Sequence, residues 1–197
     1  MKALGTSKRQ SPKAFLSKKS MMIKLSKEEM LKEWKLRKGM IPFSTSTLQI
    51  TRADSGSIDE MLQSEINDWY ADLLSREAPE FLPQRNFASE VAIIDNGDLS
   101  VDIELPDDAV RVVSIRMSGW KRPARIIENS DSALARMQTS RYVSGKTSDP
   151  IAVRRGRRLT LYGKSDAGKL IELICVAPPS DGSYEMARQL LKSINQL

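Results

Sequence analysis

Leu99-Ser100-Val101-Asp102-Ile103-Glu104-Leu105 sets apolar side chains at every second position. Successive side chains of a strand point to opposite faces, so Leu99, Val101, Ile103 and Leu105 share one face and the polar residues the other. The segment is a half-buried strand. Glu90 to Ile94 gives a strand before it, joined through Asp95-Asn96-Gly97-Asp98, where Asn and Gly tolerate the positive φ of a hairpin turn. Pro106-Asp107-Asp108 ends the strand, and Val110 to Met117 forms the next. A short strand over Ala124 to Ile127 and a brief helix through Ala133 to Met137 follow.

Further along, Ile151 to Arg154 turns at Arg155-Gly156-Arg157 into the alternating Arg158 to Tyr162. Leu170 to Ala177 is apolar almost throughout, the pattern of a strand covered on both faces, and Pro178-Pro179 stops it. Short strands with regular turns predict an α+β fold whose core is an antiparallel β-sandwich or curled sheet, not a βαβ architecture.

Outward from this core, Ser57-Ile58-Asp59-Glu60 has the form of a capping box and opens a helix. Its apolar residues Ile58, Met61, Leu62, Ile66, Trp69, Tyr70, Leu73 and Leu74 recur at three- and four-residue steps, and Pro79 ends it. Such a helix packs one face on the sheet or presents it to a partner. Ser26-Lys27-Glu28-Glu29 is an earlier capping box, predicting a helix from Lys27 to Lys38. Between the helices, Met40 to Ser55 is polar and Ser/Thr-rich, an extended linker. Ser183 to Gln196, with Met186, Leu190, Leu191 and Ile194, predicts a closing amphipathic helix.

Residues 1–25 contain Lys2, Lys8, Arg9, Lys13, Lys18, Lys19 and Lys24 and no acidic residue. Too few apolar groups occur there to offset the entropy of ordering, which predicts a basic arm, disordered when free. It either binds nucleic acid or a partner through Lys8, Arg9, Lys13, Lys18 and Lys19, or is a solvated terminus. The chain thus divides into an arm over 1–25, a short helix and linker over 26–56, and an α+β domain over 57–197.

With 197 residues the chain suffices for one core plus appendages. Its single cysteine, Cys175, forbids an internal disulfide and points to a reducing compartment. No apolar run approaches the roughly 18 residues of a spanning helix, so no membrane association is expected. Net charge is segregated: +9 over residues 1–38, −12 over 39–108, +10 over 109–169 and −1 over the rest. Such blocks neutralise one another within a monomer, or form complementary flanks of neighbouring subunits in a closed head-to-tail ring.

Two basic clusters are dense. Arg154-Arg155-Gly156-Arg157-Arg158 falls on a hairpin turn, from which the guanidinium groups would fan out; Lys121-Arg122-Pro123-Ala124-Arg125 follows Trp120. Guanidinium forks suit phosphate oxygens or carboxylates, so these residues are candidates for contact with DNA, a channel or a subunit interface. Solvated or salt-bridged turns are the alternative. The chain has no histidine, which removes the usual general base and most zinc sites, and Cys175 has no imidazole to activate it. Gly145-Lys146-Thr147 and Gly163-Lys164-Ser165 evoke phosphate loops, but the required upstream glycine is Ser140 in one and Arg158 in the other. Asp107-Asp108 and Asp95 with Asp98 fit turns better than catalysis or metal binding. No cofactor and no enzymatic activity are expected.

Several pieces form a further pattern: a helix ending near Asp68-Trp69-Tyr70, then Leu105-Pro106-Asp107-Asp108-Ala109-Val110-Arg111-Val112-Val113, then Gly119-Trp120-Lys121-Arg122-Pro123. Arg158-Leu159-Thr160-Leu161-Tyr162-Gly163 and Ala177-Pro178-Pro179-Ser180-Asp181-Gly182-Ser183-Tyr184 complete it. Together they resemble the head-to-tail connector or neck ring proteins of tailed phages, crAss-like phages among them. The resemblance implies a non-enzymatic virion protein of the neck, assembled in the host cytoplasm. In such families the copies commonly form a dodecameric ring that binds the portal and other neck or tail proteins and extends the channel for DNA ejection. The competing class is a basic nucleic-acid-binding module that uses the arm and the arginine loops.

Overall fold

The computed structural model describes residues 21–40, 55–97, 100–140, 142–164 and 168–196. Its strands form a five-stranded sheet and a three-stranded sheet, with a separate two-stranded ribbon. The five-stranded sheet runs β3 (Ile93–Asp95), β4 (Ser100–Glu104), β8 (Arg158–Tyr162), β7 (Ile151–Arg155), β6 (Arg125–Ile127). The three-stranded sheet runs β2 (Gln84–Asn86), β9 (Leu170–Val176), β5 (Arg111–Met117).

Alternation along these strands builds three layers of apolar contact. Val101 and Ile103 of β4, with Leu105 beyond its end, turn to the inside of the sandwich. There they meet Leu159 and Leu161 of β8, Ala152 of β7, Val112, Ile115 and Met117 of β5, and Leu173 and Cys175 of β9. Residues of the opposite parity face outward. Ile151 and Val153 of β7 join Ile127, Tyr162 and Ala135 on the far side of the five-stranded sheet. Val176 of β9, with Val110 and Val113, belongs to a core on the far side of the three-stranded sheet. A register shift between Val112 and Ser114 of β5 lets Val112 and Ile115, three residues apart, face the same core, while Val113 faces the other.

That second core is helical. α1 (Lys27–Arg37) starts at the expected capping box, in which the Glu29 amide donates to the Ser26 hydroxyl and the Ser26 amide to the Glu29 carboxylate. α2 (Ser55–Arg76) crosses it, with Trp34 and Trp69 in edge-to-face contact at 5.5 Å between ring centroids. Ile66, Trp69, Tyr70, Leu73 and Leu74 form its buried stripe, so this helix packs on the sheet side as expected of its periodicity. Arg111 donates to the carbonyls of Ser75 and Glu77, pinning the end of α2 to β5.

Several expectations are corrected. The five-stranded sheet is not wholly antiparallel: β6 pairs with β7 in parallel, and α3 (Ala133–Met137) lies in the crossover between them. A connection of more than a dozen residues is what a parallel pair requires, and residues 128–150 supply it. Met22–Leu25, assigned to the arm, is strand β1, paired antiparallel with β10 (Tyr184–Ala187). The expected C-terminal α-helix is therefore this strand followed by a 3-10 helix at Arg188–Gln196. α2 begins at Ser55, ahead of the capping box read at Ser57. β3 occupies Ile93–Asp95 instead of Glu90 to Ile94 and β2 was not foreseen. The two-sided covering expected of Leu170 to Ala177 fails at Ile171, which is exposed, while Leu173, Cys175 and Val176 are buried.

Candidate interaction surfaces

The arginine turn connects β7 and β8, with Gly156 at φ +62° closing it, as its sequence suggests. Its guanidinium groups do not fan out together. Arg154 folds back, donating to the carbonyls of Gly156 at 3.0 Å and Val110 at 3.3 Å, and stands 3.5 Å from Glu128. Arg157 donates twice to the Leu105 carbonyl and pairs with Asp107. Arg158 lies 3.8 Å from Asp102, while Arg155 is exposed with no ion-pair partner among the described residues. Backbone carbonyls left open at the sandwich edge are good acceptors, and they have claimed two of the four guanidinium groups.

The second cluster lies elsewhere. Arg125 pairs in register with Ile151 at the start of β7, and the arginine turn is at that strand's far end. At about 3.3 Å per residue, the length of β7 separates the two clusters by well over 10 Å. Arg122 is paired with Asp149, and Lys121 and Arg125 are exposed. Lys8, Arg9, Lys13, Lys18 and Lys19, together with most of the 40–55 linker, lie outside the described residues.

Around Lys121 the fold gathers cations that are scattered in sequence. The Lys121 amide donates to the Thr147 carbonyl at 3.1 Å, and Trp120 Nε1 donates to the Gly163 carbonyl at 2.6 Å. Ser118 and Lys169 exchange hydrogen bonds, Ser118 N to Lys169 O at 2.8 Å and Lys169 N to Ser118 Oγ at 3.3 Å. Gly163, at φ +98°, passes so close to Lys146 that a Cβ there would sit 2.8 Å from the Lys146 carbonyl. Gly145-Lys146-Thr147 and Gly163-Lys164, parts of the two phosphate-loop-like fragments, thus lie side by side, tied to the loops at 118–121 and 168–169. Lys164 pairs with Asp95 at 2.5 Å, whereas Lys121, Lys146 and Lys169 are exposed without an ion-pair partner among the described residues. The sequence signal was Gly-Lys, repeated at Gly145-Lys146, Gly163-Lys164 and Gly168-Lys169.

Two groups of exposed apolar side chains stand out, with Met21, Met22, Ile94 and Ile171 exposed elsewhere. Leu36 and Met40, at and just beyond the end of α1, and Ile58 and Met61 near the start of α2 are exposed, Met61 by 72%. The Lys35–Asp59 and Lys38–Glu65 ion pairs hold those helix ends together. On the other outer layer, Leu134 and Met137 of α3 are exposed beside Tyr142, at 90%, and Val143. In sequence α2 carries Asp59, Glu60, Glu65, Asp68 and Asp72 against Arg76, but α1 beside it carries Lys27, Lys32, Lys35 and Arg37 against Glu28, Glu29 and Glu33, and Asp59, Glu65 and Asp72 are all ion-paired.

A pocket of about 410 Å³ opens between β1, α1 and the 3-10 helix, lined by Ile23, Leu25, Leu191, Lys24, Glu33, Arg37 and Arg188. Most of its charges are satisfied internally, Arg37 by Glu33 and Lys24 by Asp181 at 2.6 Å. Cys175 is sealed between the sheets, where burial pushes its thiol up to about 11. Neither protein-family models nor curated protein sequences give a match to this chain.

Proposed function

We propose that this chain is a structural virion protein of the phage neck, a subunit of the connector ring that binds the portal and prolongs the DNA channel. The observation that carries the proposal is the pair of apolar surfaces on opposite outer layers of the sandwich. One is formed by α1 and α2, the other by α3 and the following loop. Scattered exposed apolar residues need no explanation, but grouped ones rimmed by charge mark interfaces. Because the two surfaces are different and lie on opposite outer layers, they fit head-to-tail contact between copies, which closes into a ring when the rotation allows. The sequence resemblance to connector proteins supports the same assignment, and the dodecameric stoichiometry is taken from it.

The test is affinity purification of the full-length tagged chain from cells producing it, after exhaustive nuclease digestion, with co-purifying chains identified by mass spectrometry. Stoichiometric portal and tail proteins that survive nuclease are the expected result. Recovery only of chains that nuclease digestion removes, with no portal or tail protein retained, would overturn the connector assignment in favour of a nucleic-acid-binding module.

A further inference from the structure

We propose that the rim formed by Lys121, Lys146 and Lys169 is a contact site for the phosphate backbone of duplex nucleic acid, and that the arginine turn is not. The inference does not depend on ring formation.

Three observations carry it. First, the three ammonium groups come from three different loops, and these loops are fixed to one another by backbone hydrogen bonds and by the Gly163–Lys146 approach. Lysines carried on loops whose backbones are tied together can follow one row of phosphates jointly. Second, the neighbouring carboxylates Asp95 and Asp149 are already taken by Lys164 and Arg122, leaving these three lysines uncompensated among the described residues. Hydroxyls of Thr147 and Ser148 stand in the same loop as Lys146, the other side-chain type that phosphates accept from. Third, the aromatic lying between these loops gives no face on which to stack a base. Trp120 is 3% exposed, and its indole N–H is committed to Gly163. Single-stranded nucleic acid is held largely by such stacking, so the chemistry fits a duplex gripped by its backbone without reading sequence. At the arginine turn, by contrast, Arg154 and Arg157 are spent on carbonyls and carboxylates of the protein itself.

The experiment is fluorescence anisotropy of the full-length chain with a labelled duplex DNA of about 30 base pairs, titrated across a salt series. The K121Q/K146Q/K169Q variant is compared with R155Q/R158Q and with the charge-keeping K121R/K146R/K169R. Each phosphate contact contributes about 0.9 to the slope of log K against log salt, so removing three should lower that slope by about 2.7. The glutamine triple variant is expected to lose at least tenfold in affinity at 0.1 M salt, the arginine triple variant to retain binding, and R155Q/R158Q to change little. An unchanged slope in the glutamine triple variant, a larger loss in R155Q/R158Q, or a preference for single-stranded competitor would each overturn the site. Mass photometry of the same variants reads ring assembly separately, so a failure of one proposal is not mistaken for failure of the other.

Discussion

Gly163 shows how one residue can fix several loops at once. Its φ of +98° is hospitable only to glycine, and the Lys146 backbone occupies the space a side chain would need. Gly163→Ala is expected to cost about 2–3 kcal/mol, because neither strain nor clash can be relieved without moving the 145–149 loop; a urea midpoint equal to wild type would refute this. Cys175 and Tyr70 make a second residue-scale case. Burial is the main cause of both shifts, raising the thiol from 9.0 to about 11 and the phenol from 10.0 to about 12, and Tyr70 also donates to the Glu185 carbonyl at 2.9 Å. Each therefore favours the folded chain fully below its ordinary range, and that contribution is lost as pH rises through the folded value. Stability should fall from about pH 9 to about pH 12 as Cys175 and then Tyr70 are drawn to ionise. Urea midpoints measured over that range should decline less steeply in Cys175→Ala and Tyr70→Phe. Position 163 is a glycine beside a lysine in the sequence, but nothing local shows that Lys146 will lie against it.

At the scale of elements, β1 is the clearest departure from sequence expectation. Met22–Leu25 closes a lysine-rich segment read as too poor in apolar groups to order, yet Ile23 and Leu25 flank Lys24 and pack on the helical core once Tyr184–Ala187 offers a ladder to pair with. The same pairing explains the C-terminal segment. Met186, Leu190, Leu191 and Ile194 have helical spacing, but Tyr184 and Met186 also alternate, and β1 captures that half as a strand before the 3-10 helix begins. Deleting residues 1–25 removes β1, and is expected to cost about 2–3 kcal/mol and lower Tm by roughly 5–10 °C; truncation to start at Met21 keeps the strand and is the control. Equal melting temperatures for the two truncations in differential scanning calorimetry would show that β1 contributes nothing. α1 was legible because its capping box is local chemistry, and Ser26→Ala should cost about 1 kcal/mol by the same measurement.

Across the whole molecule, the two outer layers decide how copies can meet. Met61→Glu places a carboxylate in the apolar helical surface and Tyr142→Ser removes the most exposed aromatic from the other one. Each is expected to shift the full-length chain from rings to monomers in mass photometry, with the melting temperature little changed since both side chains are exposed. Rings persisting in both variants would exclude these surfaces as the subunit contact. What the sequence by itself determined were the features set by near neighbours: α1 and its cap, the alternation of β4 and β8, the β7–β8 turn at Gly156, and α3 to the residue. Its periodicity was also enough to specify an α+β chain with an antiparallel sheet core. Tertiary structure alone decided what depends on partners far along the chain. These are the parallel β6–β7 pair, the capture of β1 by β10, the withdrawal of Arg154 and Arg157 to carbonyls at Val110 and Leu105, and the meeting of Lys121, Lys146 and Lys169. Turn and cap chemistry acts over a few residues, whereas a ladder or a guanidinium contact goes to whichever donor or acceptor the closed sandwich leaves open, and no local pattern encodes that.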